Sequence, residues 1–72
     1  MYKILIADDE ALMRKGLCTL IDWQKLDCQI VGTAENGLQA KQAVLDQQPD
    51  IIIADIKMPL LNGLELAQWI YS

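Results

Sequence analysis

Apolar residues arrive in two rhythms along this chain, and the alternation between them sets out its elements. Lys3-Ile4-Leu5-Ile6-Ala7 is a short apolar run, partly β-branched, which predicts a first strand. It stops at three acids, Asp8-Asp9-Glu10. Residues 11–21 come next, with Met13, Leu17, Leu20 and Ile21 at helical spacing, one apolar stripe. The acids ahead of this helix, and Arg14 and Lys15 further in, partly suit the helix dipole, while Gly16 is a mild weakness. Residues 22–27 are a connection expected to pack down through Trp23 and Leu26. Cys28-Gln29-Ile30-Val31-Gly32-Thr33-Ala34 predicts a second strand, less apolar than its neighbours and so a candidate edge.

Two matched signals then open helices. In Asn36-Gly37-Leu38-Gln39 and Asn62-Gly63-Leu64-Glu65 the asparagine can cap, and the Gln or Glu three residues later can reach back. Asn-Gly also suits a tight hairpin turn. The apolar stripes after them, Ala40, Ala43 and Val44 in one case and Leu64, Ala67, Ile70 and Tyr71 in the other, favour helix. The second helix ends near Gln47-Gln48-Pro49-Asp50, because proline disfavours helix at the residue before it. Ile51-Ile52-Ile53-Ala54 is the third strand, apolar on both faces, and it ends on Asp55.

Strand and helix thus alternate three times, the pattern of an α/β protein with a parallel sheet and right-handed crossovers. At 72 residues there is room for one domain at most. A chain of this size buries only about 60% of its extended surface, so its core is marginal. The net charge of −4, with no basic cluster, argues against direct nucleic-acid binding by this fragment. No apolar run approaches a membrane span and the first residues lack a signal-peptide layout, so the expected setting is the cytoplasm. Cys18 and Cys28 do not form a CxxC pair and read as two small semi-buried thiols. Histidine is absent, which excludes Ser-His or Cys-His nucleophiles and histidine metal sites within the chain.

The chemistry lies in the acids at the strand ends. If the first strand lies between the second and third, Asp8 and Asp9 come from one carboxyl end and Asp55 from the next. A single strand-end acid is as readily a solvated or capping group. Three together repel one another and attract a hard cation, for which magnesium is the natural occupant. Asp55 could also attack a phosphoryl group to give an acyl phosphate, with magnesium offsetting the repulsion between the two anions.

With the acidic pair Asp8-Asp9 and the segment Asp55-Ile56-Lys57-Met58-Pro59-Leu60-Leu61-Asn62-Gly63, the chain resembles the response-regulator receiver domains (CheY-like) of two-component signalling. The segment meets the family pattern D-x-x-M-P-x-x-x-G at each fixed position. Leu20-Ile21-Asp22-Trp23 also resembles receivers attached to AraC-type DNA-binding domains. The resemblance implies a flavodoxin-like sheet in the order 2-1-3. It implies Asp55 as phosphoacceptor, a histidine kinase as donor, and Mg2+ held by Asp9, by Asp8 directly or through water, by Asp55 and by the backbone carbonyl of Lys57. Met58, Pro59 and Gly63 would shape the loop after the acceptor.

A complete receiver has five strands and five helices, and the likeness covers the first three of each. Residues 1–72 therefore read as a truncated flavodoxin-like (βα)3 three-layer unit, the N-terminal part of a receiver with no output domain. The Ser/Thr after strand four and the Lys after strand five, which the family uses for its switch, have no counterpart here. Strand three is then an exposed apolar edge, and the first helix leaves sheet bare. The expected consequence is self-association, most simply a two-fold dimer through that edge or an exchanged element. The leading function is a non-enzymatic phosphoacceptor that serves transcription control in a full-length protein. A non-phosphorylated interaction or oligomerisation module is the alternative. A magnesium-dependent phosphotransfer enzyme of another α/β family fits less well, since there is no room for a substrate-binding cap.

Overall fold

A computed structural model describes residues 1–55 and 62–71. Lys57, Met58 and Pro59 lie outside the described residues. The first strand, β1, spans Tyr2–Ala7, and the first helix, α1, spans Ala11–Leu20. A 3-10 turn at Trp23–Leu26 leads into β2, Cys28–Ala34, and then α2, Gly37–Gln47. The third unit is β3, Ile51–Ala54, with α3, Gly63–Ile70. The sheet is parallel in the order β2-β1-β3, so the expected 2-1-3 arrangement is found and β2 is an edge.

The most deeply buried run is in the central strand. Ile4, Leu5, Ile6 and Ala7 are all buried, which a strand flanked and covered on both faces requires. Leu5 and Ala7 face α2 and α3, in one cluster with Ala34, Ala40 and Leu66; Ala43, Val44, Ile52, Ala54 and Trp69 pack around it. Ile4 and Ile6 alternate to the opposite face, the side of α1. In register, Ile4 lies beside Ile51 and Ile6 beside Ile53. The β1–β2 register slips once, between Ile4 and Leu5, so Leu5 pairs with Gly32.

Local chemistry supports each boundary. Asn36 accepts the Gln39 amide at 2.9 Å, while Gln39 Oε1 accepts the amide of Glu35 rather than that of Asn36. Asn62 and Glu65 form the complete reciprocal box. Helix α2 ends on Gln48 in the left-handed region (φ 47°), with its N–H donating to the Val44 carbonyl. At the other end of the sheet, the Lys3 amide donates to Asp50 Oδ2 and its Nζ to the Gln47 carbonyl, tying β1 to the start of β3.

Three sequence expectations shift. Leu26 is exposed; only Trp23 packs, its Nε1 donating to the Leu17 carbonyl at 2.9 Å. In α1 no residue is buried, and Met13 and Leu20 of the apolar stripe stand open to solvent. In α3 the inward residues are Leu66 and Trp69, not the Leu64/Ala67/Ile70/Tyr71 stripe. Ala67, Ile70 and Tyr71 line an open groove beside Ile52 and Ala54 of β3. The helix rotates Leu66 over the α2 side of the sheet, where Lys41 Nζ stands 5.0 Å from the Trp69 ring centre.

Candidate functional site

The parallel topology assembles the acids. Backbone pairing runs one residue beyond the strands: the Asp8 amide donates to the Ala34 carbonyl and the Asp55 amide to the Ala7 carbonyl, each at 2.9 Å. Both acids therefore leave the sheet at adjacent carboxyl ends, where α/β folds open a crevice for ligands. One carboxylate oxygen each from Asp8, Asp9 and Asp55 lies within 4.8 Å of the others. Asp8 and Asp55 are half-buried and Asp9 is exposed.

Three carboxylates at this spacing form a hard, all-oxygen donor set. Two ligands at about 2.1 Å from one Mg2+ are at most about 4.2 Å apart, so oxygens within 4.8 Å of one another come within reach of one ion by side-chain adjustment. Water between Asp8 and the ion would close it equally. Asp8 Oδ1 already accepts the Glu10 amide at 3.0 Å, which orients that carboxylate and leaves its second oxygen for such a role. The donor set thus fits magnesium, which keeps several waters and takes one or two carboxylates directly.

Sequence patterning points to all three acids, whereas the expectation that Arg14 suits the dipole of α1 does not hold. Arg14 lies near the start of α1, the end at which a cation is disfavoured. Its Nη1 donates to the Asp8 carbonyl at 2.6 Å, and its Nη2 lies 3.9 Å from Glu35 Oε2. Glu35 is in turn held by Gln39, whose Nε2 donates to Glu35 Oε1. The only signal in the sequence is a cation at the wrong end of a helix, six residues after the first acid.

A family model described as the response regulator receiver domain matches residues 4–72. The uncharacterized transcriptional regulatory protein YesN of Bacillus subtilis is 46% identical over 66 residues, which cover 92% of this chain and 18% of that protein. The REC domain of AraT, a response regulator from Geobacillus stearothermophilus, superposes with a TM-score of 0.91 at 38% identity, covering 94% of this chain and 53% of that one. A two-component transcriptional regulator AraC from Clostridium phytofermentans gives 0.88 at 37% identity over 97% of this chain and 56% of the other. The chain spans about half the length of these receiver structures and under a fifth of YesN. Among the described residues no helix is long and apolar enough to cross a membrane.

Proposed function

The chain belongs to the response regulator receiver domain family, and on that footing we propose that Asp55 accepts a phosphoryl group from the phosphohistidine of a histidine kinase. The observation that carries this reading is the convergence of Asp8, Asp9 and Asp55 within 4.8 Å at neighbouring strand ends. A carboxylate oxygen of Asp55 attacks phosphorus, the P–N bond to the donor imidazole breaks, and the imidazole leaves to be protonated by solvent. The product is a mixed anhydride on Asp55. Asp8, Asp9, Asp55 and the backbone carbonyl of Lys57 would hold Mg2+, whose charge offsets the repulsion between the carboxylate and the phosphoryl oxygens.

In this reading residues 1–72 are the first three βα units of a receiver, acting in the cytoplasm as a regulatory rather than an enzymatic module. The likeness to transcriptional regulators supports control of transcription as the whole protein's output. Incubation with Mg2+ and a small phosphodonor, read by intact mass, tests the proposal. One phosphoryl adduct that is absent from Asp55→Asn supports it; no adduct on folded protein overturns it.

A second reading rests on a different observation. Among the described residues β3 pairs only with β1, and Ile51 and Ile53 are exposed beside its outer edge. An apolar, unpaired edge is a template for another strand. Self-association through β3, without phosphorylation, is the function these residues would serve if no adduct forms.

A further inference from the structure

We infer that Arg14 is a positioning residue for the acidic pair, acting through the peptide unit that joins Asp8 to Asp9. The inference rests on the reading of Asp8 and Asp9 as magnesium ligands. Its starting point is a contact at the edge of the site: Arg14 Nη1 donates to the Asp8 carbonyl at 2.6 Å, a short hydrogen bond strengthened by the charge of its donor. The guanidinium is largely buried, its side chain 19% exposed, so the contact is shielded from competing water.

That carbonyl is a distinctive one. Asp8 is the last residue of the central strand's line to join the ladder, through its amide to Ala34. Beyond it the chain turns into the loop, and the Asp8 carbonyl shares its peptide plane with the Asp9 N–H. Rotation of that plane would swing Asp9 relative to Asp8 and Asp55. The Asp8 side chain is held separately by the Glu10 amide. Arg14 therefore holds the peptide between the two acids, which the Glu10 contact does not reach. Its second arm, 3.9 Å from Glu35, is a long pair to an exposed carboxylate and contributes little orientation.

The two effects of removing this cation have opposite signs. A lost positive charge beside an acidic cluster would tighten cation binding, whereas a freed Asp8–Asp9 peptide would weaken it. Lost outer contacts of metal ligands cost about 10–100-fold in affinity. High salt weakens the opposing charge effect, less so for a guanidinium only 19% exposed, and the inference holds that positioning outweighs it.

The test measures Mn2+ binding to the full 72-residue chain by the spin-resonance signal of the free ion, at high ionic strength. Alongside it, the Asp9 amide nitrogen resonance is read on the metal-free protein. Arg14→Met is expected to weaken Mn2+ binding about tenfold and to displace the Asp9 resonance, while Glu35→Gln changes neither. Unaltered or tighter binding in folded Arg14→Met, or an equal loss in Glu35→Gln, overturns the inference. Asp9→Asn separates the two layers. If it binds Mn2+ as the parent chain does, the ligand reading falls and this inference with it; if it loses binding while Arg14→Met keeps it, only this inference falls. Should Arg14→Met not fold, Arg14→Lys takes its place: a displaced Asp9 resonance with parental affinity overturns the inference, and a loss of affinity accompanying the displacement supports it.

Discussion

Ile6 and Ile53 are paired neighbours on one face of the sheet, yet Ile6 is fully buried and Ile53 is 36% exposed. The difference is the reach of α1, which lies over the central strand and leaves β3 uncovered, so Ile51 is 44% exposed as well. Replacing Ile53 by lysine puts a charge on that apolar edge, a device by which sheets resist pairing. Ile53→Lys is expected to remove concentration-dependent association while the fold remains, as sedimentation velocity at rising concentration would register. An unchanged oligomer distribution would place the contact elsewhere.

The proposed phosphoryl adduct depends on charge compensation among three acids. Metal is worth several kcal/mol to such a transfer, and each 1.4 kcal/mol is tenfold in rate. Chelation of Mg2+ is therefore expected to slow adduct formation by about a hundredfold or more. Asp9→Asn should slow it in the same direction, with partial recovery at high Mg2+. Time-resolved intact mass measures both.

Leu66 is the one buried residue of α3, sealed at 1% exposure against Leu5, Ala7, Ala34 and Ala40. Leu66→Ala removes a buried side chain and leaves a cavity, a loss of about 2–5 kcal/mol. For a chain this small that equals most of the available stability, so the variant is expected to unfold. Leu64, 62% exposed on the same helix, should tolerate alanine within about 0.5 kcal/mol. Urea titrations followed by tryptophan fluorescence distinguish them.

The box between Asn62 and Glu65 opens α3, with the Glu65 amide donating to Asn62 Oδ1 at 2.9 Å. Asn62→Ala is expected to cost about 1 kcal/mol, or about 4–8 °C in Tm for a domain of this length. A fall of that size in a thermal melt, with the circular dichroism of the folded state retained, is the expected result.

Gln48 closes α2 in a left-handed conformation, φ 47°, that a side chain disfavours. Glycine occupies this position without the Cβ penalty. Gln48→Gly is expected to gain about 0.5–1 kcal/mol despite the greater freedom of glycine in the unfolded chain, seen as a higher urea midpoint.

Local sequence determined the elements of this protein almost to their ends, because each carries its own signal. Ile51–Ala54 is too short and too apolar for a surface helix, and Asn36 and Asn62 cap α2 and α3. The three acids were legible for the same reason: a strand of this kind must end somewhere, and Asp8 and Asp55 are where two of them end. Tertiary structure decided what periodicity cannot carry, namely which neighbour each face meets. The stripes on α1 and α3 were real as patterns. Yet Met13, Leu20, Ala67 and Tyr71 remain open, because apolar spacing states that a residue can be buried and not that anything lies opposite it. Arg14 is the plainest case. Its position in α1 is set by sequence, but its bond to the Asp8 carbonyl exists only once helix and strand end are folded together.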